Sequence, residues 1–284
     1  MDSTLTTPDG LALHLREWPL ADAKGTVLIV HGLGEHIVRY AHVAAQLNAR
    51  GWRVAGHDHR GHGASAGPRG SLAHADDLLR DLAQVIDALR SAHPGEPLLL
   101  LGHSMGGAVA ARFVAERVGP APAAAWWRPV DGLVLSSPAL AADMSAAQKL
   151  LLAVAGRLAP NLRLANGLQP AWVSRDPAVV RAYVADPLNH DRITPQLARF
   201  ILDAGACVRS RAQVWSVPTL LLYAGSDRCV APAGSGAFAA AAPRAMVTTQ
   251  VFEPLFHEIF NEPEQGEVFA ALGTWLSLGA LGRR

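Results

Sequence analysis

The sequence predicts an α/β fold: a doubly wound, mostly parallel sheet with helices on both faces and a helical cap inserted on one edge. Three observations carry that reading. Short apolar runs alternate with longer segments of helical period. The runs are apolar on consecutive residues, as strands covered on both faces require. The alternation stops once, between about Leu140 and Val217, where helical stretches are punctuated by prolines.

Taken in order, the chain opens with two alternating segments, "TLTT" and "LALHLREW", around Pro8-Asp9-Gly10, which is the pattern of a β-hairpin. Six strands follow at "GTVLIVHG", "WRVAGHD", "PLLLLGHS", "DGLVLSSP", "PTLLLYAGS" and "MVTTQVFEP". Helices are expected over Val38–Arg50, His74–His93, Gly106–Val118, Pro232–Ala241 and Pro263–Leu278, so a hairpin leads into a parallel sheet with a mixed edge. Residues 1–139 and 218–284 are read as the core, and 140–217 as the cap, broken at Pro160, Pro170, Pro177, Pro187 and Pro195. The first cap stretch, "MSAAQKLLLAVAGRLAP", puts Leu151, Val154, Ala155 and Leu158 on one helical stripe. That stripe either packs down on the core or stays exposed to meet an apolar substrate or a bilayer surface.

Composition narrows the function classes. A chain of 284 residues suits one large domain or a core with an insertion. Half of it is hydrophobic and 17% charged, which fits a packed protein rather than a disordered one. With 25 basic and 24 acidic residues and no basic block, nothing points to nucleic acid. The start, "MDSTLTTPDG", lacks a charged-then-apolar leader, and no segment approaches the roughly 18 apolar residues of a membrane span. A cytoplasmic location is the expectation, with peripheral membrane contact through the cap left open. Cys207 and Cys229 are too few for a disulfide framework and read as reduced thiols.

Chemistry concentrates in "LLLLGHSMGGAVAARF", residues 98–113, where Gly102-His103-Ser104-Met105-Gly106 matches the G-x-S-x-G nucleophile elbow between a strand and a helix. A serine hydroxyl is a poor nucleophile until a base takes its proton and an acid orients the base. In a doubly wound sheet such groups gather beyond the carboxyl ends of the strands. Asp227 follows "TLLLYAGS", and His257 follows the last strand, giving the order Ser104, Asp227, His257. His190 is the rival base, and Asp191 and Asp203 the rival acids, all in the cap. Two backbone N–H groups are expected to hold the developing oxyanion: Met105, after the nucleophile, and Leu33 in "HGLGEH". Glu35 and Arg39, four apart, either brace that loop or form a solvated pair. "HDHRGH" crowds three histidines and an aspartate and resembles a metal site at first sight, but it also belongs to a D-H-x-G-H-G-x-S pattern whose resemblance to a family motif implies a structural turn after a strand. Cys229 lies two residues after Asp227, near the expected pocket. Arg157, Arg163, Arg175 and Arg181 are either surface cations or a patch for a phosphate head group.

Several of these segments together are more specific than the elbow alone. "HGLGEHIVRY", "GHDHRGHGASAGPRG", "GHSMGG", "LSSPAL", "DPL", "GSDRCV" and "FHEIFNEP" resemble the monoacylglycerol lipase and lysophospholipase branch of the α/β-hydrolases, from about Thr26 to Pro263. The resemblance implies a carboxylester hydrolase with no metal or organic cofactor, whose cap shapes an acyl tunnel. It implies Ser104 as nucleophile, Asp227 as acid, His257 as base, and the N–H groups of Leu33 and Met105 as the oxyanion hole. The expected substrates are single-chain lipid esters, monoacylglycerols first and lysophospholipids second. An amidase, a peptidase or a perhydrolase would use the same triad. A non-catalytic receptor or scaffold is the rival from another class.

Overall fold

The computed structural model describes residues 1–118 and 122–278. The opening segments pair antiparallel as β1 (Asp2–Thr6) and β2 (Ala12–Trp18), and Thr7 closes the turn through bonds to Leu11. Then come β3 (Thr26–Val30), α1 (Ala41–Asn48), β4 (Arg53–His57), α2 (Asp77–Ala92), β5 (Leu98–His103), α3 (Ser104–Ala115) and β6 (Gly132–Ser136). The stretch expected as the cap holds α4 (Ala146–Leu158), β7 (Leu164–Ala165), α5 (Pro177–Ala185), β8 (Arg192–Ile193) and α6 (Pro195–Ser210). The chain returns as β9 (Thr219–Ala224), α7 (Pro232–Ala241), β10 (Val247–Phe252) and α8 (Gln265–Ser277). The expected second core segment, 218–284, ends in six residues, 279–284, that lie outside the described ones.

Eight strands form one sheet in the order β1-β2-β4-β3-β5-β6-β9-β10, with β2 antiparallel to both its neighbours and the rest parallel. Successive strand residues face opposite sides of the sheet. Leu28, Val30 and Leu100 therefore pack with α2 and α3, while Val27, Ile29, Leu99 and Leu101 pack with α1 and α8. This two-sided burial is why β3 and β5 read as unbroken apolar runs. β10 is one of the two edges: Val247 and Phe252 are buried, and the four residues between them are exposed.

The prolines that punctuate residues 140–217 have a constructive role. Pro177 and Pro195 occupy first helical turns, where the missing N–H removes nothing, and the side chains of Asp176 and Thr194 cap α5 and α6. Ser145 and Gln148 form a reciprocal capping box at α4. The two helices that bound this stretch differ in what they bury. In α6, Leu197, Phe200, Ala204 and Val208 join the layer of α2 and α3, and Gly205 lets the helix lie against the backbone of Leu140. In α4, Leu151 is 69% and Leu158 82% exposed, so of the two readings of its stripe the structure displays the exposed one. β7 and β8 form a separate two-residue ribbon that has no counterpart in the sequence reading. No helix among the described residues is long and apolar enough to cross a membrane.

Candidate active site

The elbow is built by close approach. Ser104 adopts φ 54°, a left-handed conformation that side chains rarely take and that costs roughly 1–3 kcal/mol. A Cβ at Gly106 would overlap the carbonyl oxygens of Val30 and His31, so α3 reaches β3 only without a side chain there. The turn is held from outside by Ala139, whose N–H donates to the Ser104 carbonyl at 2.9 Å. His103 is anchored to β6, with Nδ1 3.1 Å from both the carbonyl and the hydroxyl of Ser136. Burial lowers the His103 imidazole to about 4, assisted by the charge of His257, whose ring centroid lies 4.7 Å away.

Asp227 and His257 come from the loops after β9 and β10. Those loops are laced together: Gly225 N–H donates to Phe252 O, Ser226 N–H to Leu255 O and Ser226 Oγ to Glu253 O. The carboxylate of Asp227 meets Nδ1 of His257 at 2.7 Å through Oδ2, while Oδ1 accepts the backbone N–H groups of Cys229 and Val230. Burial would raise the Asp227 carboxyl, but the charge of His257, their hydrogen bond and the two N–H groups outweigh it and hold it below the usual range. Burial would likewise lower His257, yet the Asp227 charge and hydrogen bond, with Glu258 and Glu35 behind them, raise it.

Leu33 sits in a loop whose shape is fixed by Glu35. Its Oε1 accepts the Gly32 N–H at 2.6 Å and the Tyr40 hydroxyl at 2.7 Å, and its Oε2 accepts from Arg39 at 2.5 Å. Of the two readings of Glu35 and Arg39, the structure displays the buried brace. Met105, as the second residue of α3, has an N–H with no acceptor inside the helix.

Two cavities meet at Leu33, Ser104 and Cys229. One, about 530 Å³, is walled by Met105, Leu152, Trp172, Ile201 and Val230 and is mainly apolar. The other, about 240 Å³, includes His257, Tyr183, Asn189 and His190. The structure thus brings Ser104, Leu33, Met105, Asp227 and His257 to one place.

The rival residues are otherwise engaged. His190 directs Nε2 to the Gly61 carbonyl, and its Nδ1 accepts the N–H of Arg192. Asp191 pairs with Arg192, and Asp203 with Arg199, both exposed. Arg175 is tied to Glu262 and Glu264 and borders a cleft with Arg181, whereas Arg163 borders another with Arg69 and Arg192. In "HDHRGH", Asp58 accepts the N–H groups of Ile37 and Ala64, and the His59 ring lies tilted against His31 at 4.4 Å, so the segment ties β4 to the loop that carries Leu33. Asp227, Cys229 and His257 place an oxygen, a sulfur and a nitrogen within 4.8 Å of one another, the donor set in the site best arranged for a metal ion. Both carboxylate oxygens of that set are already spent on N–H donors. Burial, with the charges of Asp227 and Glu258, pushes the Cys229 thiol up and keeps it protonated at neutral pH. Glu258 and Tyr183 carry no sequence signal for a role here.

Comparison with known proteins shows the family of the chain. The family model described as serine aminopeptidase, S33, matches residues 21–264. A monoacylglycerol lipase of Mycolicibacterium smegmatis is 36% identical over 262 residues, covering 91% of this chain and 90% of that protein. The monoglyceride lipase of Homo sapiens is 33% identical, covering 96% and 89%. The crystal structure of Paleococcus ferrophilus monoacylglycerol lipase superposes with a TM-score of 0.81 at 34% identity, over 93% of this chain and 98% of that one.

Proposed function

Because the chain belongs to the serine aminopeptidase S33 family of α/β-hydrolases, we propose that it is a serine carboxylester hydrolase of the monoacylglycerol lipase kind. The observation that carries the proposal is the position of Ser104 where a cavity of about 530 Å³, walled by Leu152, Trp172, Ile201 and Val230, meets a smaller one bordered by Tyr183, Asn189, His190 and His257. A single acyl chain fits the first and a glycerol head group the second, with the ester carbonyl at the serine.

In this reading His257 takes the proton of Ser104 as the hydroxyl attacks the ester carbonyl. The N–H groups of Leu33 and Met105 hold the oxyanion, and the alcohol leaves with the proton from His257. Water, activated by the same imidazole, then releases the fatty acid. Asp227 fixes the tautomer through its bond to Nδ1 and stabilises the imidazolium. The exposed leucines of α4, on the stretch 140–217 that we take as the cap with α6 as its root, dock on the lipid surface that holds the substrate.

The test is hydrolysis of monoacylglycerols, matched lysophosphatidylcholines and aminoacyl naphthylamides by wild type and Ser104→Ala. Monoacylglycerol turnover should lead and should fall on the order of 10⁶-fold in the variant. Preferential cleavage of the naphthylamides would replace the lipase reading with a peptidase, and turnover that survives Ser104→Ala would remove the serine mechanism.

A further inference from the structure

Arg39 lies in the short helical turn before α1, outside both cavities, yet its guanidinium joins the two loops that the reaction needs. Nη1 donates to Glu35 Oε2 at 2.5 Å and to Glu258 Oε1 at 2.8 Å, and Nη2 donates to Glu258 Oε2 at 2.7 Å. Glu35 holds the N–H of Gly32, beside Leu33, and Glu258 directly follows His257. The three side chains are 12%, 5% and 6% exposed, and the ring of Tyr183 in α5 covers the guanidinium at 4.8 Å. Glu258 is pinned further by Asn261 Nδ2, and its N–H donates to Val173 in the segment before α5.

Stability alone is a poor reason for such an arrangement. Two carboxylates and one cation taken out of water recover little net energy, and well-packed apolar side chains of the same volume often do as well. A guanidinium does offer what an apolar side chain cannot, a planar fork whose bonds have fixed lengths and directions. We propose that Arg39 is a positioning residue. It sets the separation of the loop presenting the Leu33 N–H from the loop carrying His257, so that oxyanion donor and base address one carbonyl together. This inference rests on the reading of Ser104, Asp227 and His257 given above.

The arrangement also sets the charge around the base. His257 faces Asp227, Glu258, Glu35, the Cys229 thiol and the His103 ring, and Arg39 is the cation that balances the two glutamates. Without Arg39 the glutamates act unopposed and favour the protonated imidazole, so the acid limb of the rate profile moves to higher pH.

The experiment measures kcat and KM on p-nitrophenyl butyrate from pH 5 to 10, per active site titrated with diethyl p-nitrophenyl phosphate. Arg39→Met should lower kcat about 100-fold, the loss expected of a displacement near 1 Å, with KM within about threefold. Its acid limb should move up. Adding Glu258→Gln should bring the limb back down without restoring kcat, and Arg39→Lys, a single point charge, should rescue only part of the rate. A kcat per titrated site within twofold of wild type, a loss confined to KM, or an unmoved limb would overturn the proposal. Should Arg39→Met fail to fold, Glu258→Gln alone decides. It should lower kcat about tenfold at constant KM and shift the limb down, and an unchanged kcat would overturn the proposal. Failure of wild type to react with the phosphate, or turnover surviving Ser104→Ala, would instead defeat the reading of the triad.

Discussion

A Cβ on Gly102 would stand 2.6 Å from the carbonyl oxygen of Gly106 and 2.8 Å from Cα of Gly107. The two outer glycines of the elbow are therefore one device: each clears backbone that no rotamer change can move. Gly106→Ala should destabilise the protein by roughly 3 kcal/mol or more, the range of overpacking that cannot relax. Urea unfolding measures it, and a variant within about 1 kcal/mol of wild type would show that α3 can back away from β3.

The pH profile tests the Asp227–His257 pair. In the proposed mechanism His257 acts as base only when neutral, and its folded value is raised above 6.5, so kcat/KM should climb with pH along a limb centred above that value. Asp227→Asn removes the largest raising influence. It should cost about 10⁴-fold in kcat and move the residual limb to lower pH, because burial then dominates. A limb that stays put would mean that another group sets it.

The imidazoles below the oxyanion loop set the opposite dependence, in stability. His31, His57, His59 and His62 are buried, and burial lowers all four, His57 to about 4. Below pH 6.5 the unfolded chain takes up protons that the folded one refuses, so stability falls as pH drops toward 4. Each such histidine contributes a slope of about 1.4 kcal/mol per pH unit in that window. Neither ring nitrogen of His57 has a hydrogen-bond partner among the described residues. His57→Phe should therefore reduce the acid slope by about one histidine's share without loss at pH 8. Urea midpoints from pH 4 to 8 would show this, and an unaltered slope would count against it.

Acyl preference should follow the volume beside Ser104. Each added methylene should raise kcat/KM by up to about fourfold, the equivalent of roughly 0.8 kcal/mol, until the cavity is full. Leu152 lines that cavity from α4, so Leu152→Trp should move the optimum to shorter chains and spare p-nitrophenyl acetate. An unchanged optimum would place the chain elsewhere.

Surface action can be separated from chemistry at α4. Leu151→Ser with Leu158→Ser should weaken sedimentation with phosphatidylcholine vesicles several-fold and leave kcat/KM on p-nitrophenyl butyrate within twofold. Equal vesicle binding by wild type and variant would remove the docking role.

What the sequence disclosed and what it concealed follow from distance along the chain. β3 and β5 were legible because burial on both faces writes itself into consecutive residues, and Ser104 because its glycines are neighbours. Asp227 and His257 could be reached by topology, since each follows a strand that was itself legible. Arg39 and Glu258 are 219 positions apart, and neither spacing nor period relates them. The same is true of Tyr183 over Arg39. β7 and β8, two residues each, fall below any periodic signal. Within 140–217 the sequence showed helical stretches but not their partners, such as the packing of Leu197, Phe200, Ala204 and Val208 of α6 with α2 and α3.

The contact between Gly205 and the Leu140 backbone has a consequence for descent as well as for folding. The stretch between Leu140 and Gly205 departs and returns at one spot, so its two ends are pinned together there. Doubling the length of a loop so anchored adds only about 0.6 kcal/mol of closure entropy. Insertions and deletions between those points cost the sheet little so long as Val173 and Tyr183, which hold Glu258 and Arg39, keep their places, and in the proposed lipase new chain-length or head-group tastes can be tried by selection there.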